Sequence, residues 1–233
     1  MTRDECMTAL EREGTAQNRK TYARHGVTGP CFGVSYAALG KLKKAIKVDH
    51  DLAVLLWESG NHDARVLACM IDDPAAVTAA QLKAWAADLS NYVLTDALSG
   101  LAAKSPQARA CMTSWIKAKD EWRASAGWNV LAHLALADNG LPDSDFESML
   151  ARIESRILQA KNRTRHAMNN ALIAIGSRNE HLAELATAAA GRIGKVEVNH
   201  GETGCKTPDA ASYIAKTRAH HAAKGGITRR KRC

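Results

Sequence analysis

Apolar residues recur at three- and four-residue spacing along almost the whole chain, broken at short intervals by turn residues, and no segment alternates as a half-buried strand does. A chain with that period can bury its apolar surface only by packing helix on helix. Composition agrees: aromatic residues are 5%, β-branched residues are sparse and alanine is abundant, which suits close-packed helices and excludes an all-β protein. The 233 residues, 46% hydrophobic and 24% charged, are enough for a sizeable core and lie outside the range of disordered chains.

Caps and breakers set the expected limits. Thr2 precedes Asp4 and Glu5 in a first helix that stops before Gly14, and a second covers about Ala16 to Arg24. Ser35 caps a helix through Ile46, Asp49 begins one ending near Ser59, Asn61 caps His62 to Ile71, and beyond Pro74 Thr78 caps a helix to about Ala87. Later helices are expected at about Asn91 to Ala102, Ser105 to Ile116, Asp120 to Ala137, Asp143 to Leu158, Arg163 to Ile175 and Asn179 to Ile193, and, after Pro208, at Ala210 to His221.

Four segments echo one another: NHDARVLACM from Asn61, NYVLTDALSG from Asn91, EWRASAGWNVL from Glu121 and NRTRHAMNNALIAIG from Asn162. Each has a polar opening followed by small residues at helical spacing, as the inner helix of a two-helix repeat would. Their intervals of 30, 30 and 41 residues approach the ~40–47 of HEAT-type repeats. The expected fold is all-α, an α-solenoid of HEAT-like helix pairs. One domain spans residues 1–222, and residues 223–233 form a basic flexible tail.

The formal charge of +8 is unevenly spread. Residues 51–151 are net acidic, residues 1–50 and 152–195 net basic, and the last twenty carry seven cations and no acid. Arg229, Arg230, Lys231 and Arg232 read either as an arm that binds a polyanion by counterion release or as a solvated terminus. Cys6, Cys31, Cys69, Cys111, Cys205 and Cys233 show no metal-ligand spacing, so free thiols and no metal are expected. No apolar run approaches the roughly 20 residues that cross a bilayer. With a charged start, MTRDECMTALERE, the expectation is a cytoplasmic monomer without a membrane partner.

LWESGNHDARVLA (Leu56 to Ala68), DLSNYVLTDALSG (Asp88 to Gly100) and DEWRASAGW (Asp120 to Trp128), in that order and spacing, resemble the HEAT-like-repeat DNA alkylation repair family, the AlkD-type alkylpurine DNA glycosylases, over roughly Leu39 to Gly194. The resemblance implies an all-α, metal-free and cofactor-free protein that hydrolyses the N-glycosidic bond of cationic N3- or N7-alkylpurines in duplex DNA. It also implies an aromatic residue and an aspartate four apart on an inner helix, here Tyr92 and Asp96. Such a pair lies on one helix face. A fixed carboxylate stabilises the oxocarbenium-like sugar left when a cationic base departs, and an aromatic face holds a cation at about 0.5–2 kcal/mol. Without the resemblance, Asp96 reads as a solvated or capping aspartate.

The chain departs from that pattern. Tyr92 stands where the family has Trp, the family's DNA-facing arginine falls on Ala124 or Ser125, and a second tryptophan falls near Asn170. The DNA-binding candidates are Arg65, Trp122, Arg123, Lys161, Arg163 and Arg165 together with the tail cations; Lys161, Arg163 and Arg165 open an inner helix, where side chains and amides together can hold phosphates. The exposed charged turn is their alternative. Trp57, Trp85, Trp115 and Trp128 read as core. In VEVNHGETGCKTPDAASYI, His200 is a minor candidate within a turn that leads to a capped helix. The resulting expectation is a DNA-binding protein of the alkylation-repair type, possessing glycosylase activity or, alternatively, binding distorted or branched DNA without catalysis. A peptide-binding scaffold is the third class.

Overall fold

Helix starts in this protein are set by short polar side chains that accept the first free amides. In a computed structural model that describes residues 1–137 and 140–230, with side chains described as far as His220 and at Ala223, the side chains of Thr2, Thr15, Ser35, Asp49, Asn61, Thr78, Asn91 and Asn179 each accept from an amide two or three residues on. Each such cap stabilises its helix by about 1 kcal/mol. Thr2 and Glu5 form a reciprocal capping box. The caps expected at Ser35, Asp49, Asn61 and Thr78 are all present.

The helices are α1 (Arg3–Glu13), α2 (Ala16–Arg24), α3 (Tyr36–Ile46), α4 (His50–Glu58), α5 (His62–Ile71), α6 (Ala79–Ala87), α7 (Tyr92–Ala102), α8 (Ala108–Trp115), α9 (Glu121–Leu136), α10 (Asp143–Arg156), α11 (Asn162–Gly176), α12 (Glu180–Ile193) and α13 (Ala210–Arg230), with a 3-10 turn at Ile157–Gln159. Among the described residues no strand forms; Gly14 and Val34 make one isolated antiparallel bridge. Three limits differ from expectation, the first being α8, which begins at Ala108 and not Ser105. The helix from Asp143 tightens into the 3-10 turn after Arg156, and α13 continues past His221 through Gly225 and Gly226 to Arg230. Paired glycines cost a helix only about 1 kcal/mol each relative to alanine, which does not compel a break.

The chain groups into two compact units. The first comprises Met1–Val130 and His200–Cys205. Within it α5 packs on α3, α4 and α7, burying Leu39, Leu56, Leu67, Ile71, Leu94 and Leu98. Trp57 and Trp85 stack face to face with ring centroids 4.2 Å apart; together with Trp115 and Trp128 they are buried, as expected for core residues. The second unit comprises Leu131–Asn199 and Lys206–Cys233. Here α12 packs on α10, α11 and α13 over Phe146, Ile153, Ile157, Leu172 and Ile175.

Gly127 lets α9 pass close to the backbone at the end of α8. A Cβ there would lie 2.5 Å from the Ile116 amide nitrogen and 2.8 Å from the Trp115 carbonyl carbon, and backbone cannot move aside as a side-chain tip can. Gly127→Ala is therefore expected to destabilise the protein by about 1–3 kcal/mol, read as a lower urea midpoint. An unchanged midpoint would show that α8 and α9 tolerate separation.

Candidate nucleic-acid interface

Asn91 fixes the start of α7 by accepting from the Leu94 amide at 3.0 Å. This sets the direction in which Tyr92 and Asp96, one turn apart, project. Asp96 is exposed and Tyr92 half-buried. The side-chain amide of Asn129, on α9, donates to Asp96 Oδ1 at 2.7 Å, so one carboxylate oxygen is oriented by a neutral donor while the residue stays open to solvent. The Tyr92 hydroxyl is hydrogen-bonded to Nδ1 of His25, the residue that ends α2. The two rings meet edge to face with centroids 5.6 Å apart. An oriented carboxylate beside an anchored aromatic ring can stabilise a developing cation and hold an apolar or cationic group against the ring face.

The segment before α3 is held by one carboxylate. Asp63, in the first turn of α5 and completely buried, accepts from the amides of Phe32 (2.7 Å), Gly33 (3.1 Å) and Val34 (2.8 Å). Burial and the adjacent Asp63 charge push the Cys31 thiol up to about 12, so it is inert as a nucleophile. Beyond this clamp Ser35 caps α3, and Tyr36 emerges with 54% of its surface exposed. The Tyr36 phenol is pushed above its ordinary value by desolvation of its hydroxyl and then by the Asp96 charge, which places that charge within electrostatic reach.

The other expected residues occupy varied settings. Arg65 donates from Nε to the Trp57 carbonyl (3.1 Å) and from Nη2 to Asp88 (3.0 Å), and it lies over the Trp57 ring; its guanidinium thus ties α5 to its own neighbours. Trp122 and Arg123 are half-buried at the start of α9, where the Arg123 amide donates to Asp120 at 2.8 Å. Arg123 Nε is buried without a hydrogen-bond partner among the described residues. Ser125 is buried, and its hydroxyl donates to the Glu121 carbonyl at 2.7 Å. In the second unit Lys161 is exposed and Arg163 half-buried. Arg165 donates to the carbonyls of Glu197 and Ala160, both at 3.0 Å. Asn170 pairs with His166 at 3.2 Å. Arg229 and Arg230 close α13 as backbone, whereas Lys231 and Arg232 lie outside the described residues.

The His200–Cys205 turn groups with the first unit, and a Cβ on Gly201 would have the Arg24 carbonyl as its neighbour at 3.9 Å. It is followed by the capped helix expected there, with Asp209 accepting from the Ser212 amide at 2.9 Å. His25, Asn129 and Tyr36 had no distinguishing motif in the sequence. Asn129 carried one weak signal, a lone amide between Trp128 and Val130 on an otherwise small and apolar face.

Among the described residues no helix is long and apolar enough to cross a membrane, and no group of three or more His, Cys, Asp or Glu side chains is placed to hold a metal ion. Cys6, Cys31, Cys69, Cys111 and Cys205 are free thiols.

The sequence profile of the DNA alkylation repair enzyme family matches residues 6–214. The chain is 33% identical over 228 residues to the uncharacterized protein Lin0241 of Listeria innocua, and 32% identical to Lmo0209 of Listeria monocytogenes, covering 94% of this chain and 98% of each relative. Among solved structures it is similar, at a TM-score of 0.87 and 30% identity over 95% of both chains, to a member of a new family of proteins related to the HEAT-like repeat DNA glycosylases with affinity for branched DNA structures. That likeness makes the fold class an all-α solenoid of HEAT-like helix pairs. With the profile covering most of the sequence, the chain belongs to the DNA alkylation repair enzyme family.

Proposed function

We propose that this protein binds DNA at distorted or branched sites and lacks part of the arrangement that rapid alkylpurine excision requires. The observation that carries this reading is Ser125. The resemblance puts a DNA-facing arginine on Ala124 or Ser125; Ala124 is a buried methyl and Ser125 a short hydroxyl turned back onto its own helix, so neither supplies a cation to grip the phosphate beside a lesion. Asn170, where the resemblance puts a tryptophan, gives its amide to His166 and offers no ring face. The branched-DNA affinity ascribed to the structural relative supports the same reading. Lys161 and Arg163 at the opening of α11, with the basic end of α13, supply the sequence-independent phosphate attraction.

Asp96 favours a second reading. An exposed carboxylate oriented by Asn129 at 2.7 Å is the group a glycosylase needs beside the sugar, and a cationic alkylpurine leaves without a general acid. One pair of measurements separates the two readings. Wild type and Asp96→Asn are expected to release alkylpurine from methylated duplex DNA at the same background rate. Both are expected to bind a four-way or flap junction with log K falling as log salt rises, by about 0.9 per neutralised phosphate. Release by wild type that Asp96→Asn abolishes would establish the enzyme. A salt slope near zero would remove the DNA reading and favour a protein partner.

A further inference from the structure

The exposed face of α3 has no part in the helix packing described above, and its residues follow a pattern. At 100° per residue, Gly40 and Lys43 fall within about 40° of Tyr36 around the helix axis, and Lys47 follows as its C-cap. The buried Ala38 lies on the opposite face and the buried Leu39 about 60° to one side of Tyr36, and α3 packs against α5. The outward face is therefore an aromatic ring, a gap at Gly40, where a Cβ would meet nothing within 4 Å, and then Lys43, Lys44 and Lys47, all exposed.

Charge sets this face apart. Several surface cations elsewhere pair with an acid, Arg65 with Asp88, Arg192 with Glu154, Lys195 with Glu197 and Arg218 with Glu180, whereas α3 and its C-cap gather four lysines between positions 41 and 47. Among the described residues Lys41, Lys43, Lys44 and Lys47 have no acidic partner. Lysines in a last turn complement the helix dipole, which accounts for a cation or two there; it does not account for a large aromatic ring exposed on the same face. The backbone that carries Tyr36 is held through the three Asp63 hydrogen bonds and the Ser35 cap. A ring carried on an ordered backbone costs less ordering on contact than one on a mobile loop. From Tyr36 the face runs about 16 Å along the helix to Lys47.

We propose that this face of α3 is a contact surface for an unpaired DNA strand, with Tyr36 stacking on an unstacked base and Lys43, Lys44 and Lys47 neutralising successive phosphates of the strand that leaves it. The inference rests on the branched-DNA reading above and specifies which part of a branch the first unit holds. A paired base presents no free face to Tyr36, so the surface discriminates between a flap and plain duplex.

The test uses the full chain with three probes of matched length: a duplex, the same duplex carrying a single-stranded thymidine flap, and the thymidine strand alone. Tyr36→Ala is expected to weaken flap and single-strand binding about 5- to 100-fold with duplex binding unchanged, and Tyr36→Phe to retain wild-type affinity. Lys43→Gln with Lys47→Gln is expected to lower the magnitude of the salt slope on the single strand by about 1.4, at about 0.7 per phosphate. These side chains are exposed, so far-ultraviolet circular dichroism should match wild type. Wild-type affinity for all probes in the Tyr36→Ala and lysine variants would overturn the inference and leave the branched-DNA reading standing. Equal weakening on duplex and flap would also overturn it, since the face would then be a general phosphate contact. Failure of the wild type to bind any probe would overturn both.

Discussion

Asp63→Ala is expected to destabilise the protein by about 3–5 kcal/mol, a large share of the 5–15 kcal/mol that holds a typical domain folded. The carboxylate accepts three consecutive backbone amides, those of Phe32, Gly33 and Val34, and it is completely buried. Without it those donors lose a charged acceptor in a place where water cannot replace all three bonds. The segment they hold is tightly fitted. Gly33 has a φ of +78°, and a Cβ on it would lie 2.6 Å from the Thr15 carbonyl oxygen and 2.7 Å from the Arg19 amide nitrogen; the Thr15 amide in turn donates to the Gly33 carbonyl at 3.0 Å. The loss therefore loosens both α2 and the start of α3. Asp63→Asn keeps the size but turns an NH2 group toward N–H donors, so it should recover little. Urea denaturation followed by circular dichroism measures the effect. A loss below about 1 kcal/mol for Asp63→Ala would show that the amides find other acceptors. If the clamp does place Tyr36, partial protease digestion of Asp63→Ala should begin within residues 25–35.

The second large effect is expected in the other unit. Arg178→Ala should cost about 2–4 kcal/mol. Its Nη1 donates to the carbonyls of Ala135 (3.1 Å) and Ala137 (2.9 Å), closing the end of α9. Its Nε lies 3.6 Å from Asp143, and the guanidinium sits 4.9 Å from the centroid of the Phe146 ring. The side chain is only 18% exposed, so the interactions are little screened. Removal leaves the carbonyls of Ala135 and Ala137 without this donor and Asp143, among the described residues, with the Asn179 amide at 2.8 Å. Arg178→Lys retains the charge but has no planar fork to reach two carbonyls and cover a ring together; it is expected to recover less than half. Equal midpoints for wild type and Arg178→Ala in urea would refute this account.

Helix starts were legible in the sequence because a cap is a local event. Ser35, Asn61 and Thr78 each accept from an amide two or three residues downstream, and no distant residue is needed to see it. The Tyr92 and Asp96 pair was picked out by the family resemblance, and their four-residue spacing puts the two on a common helix face. The partners of that pair were not. His25 reaches Tyr92 across 67 residues, Asn129 reaches Asp96 across 33, and Asp63 reaches the Phe32 amide across 31. Arg65 shows the converse. Its place one turn after Asn61 made it a candidate for DNA contact, and the structure shows Trp57 and Asp88 engaging its guanidinium.

The sequence by itself therefore determined the helical class, the position of nearly every helix start and the residue types on each face, since periodicity and capping act within one or two turns. The tertiary structure alone decided which polar groups face one another: that Asn129 orients Asp96, that Asp63 clamps the chain before Tyr36, and that Asp88 takes the guanidinium of Arg65. Hydrogen bonds and charges act over a few ångströms of space regardless of distance along the chain, and only the packed fold sets those separations.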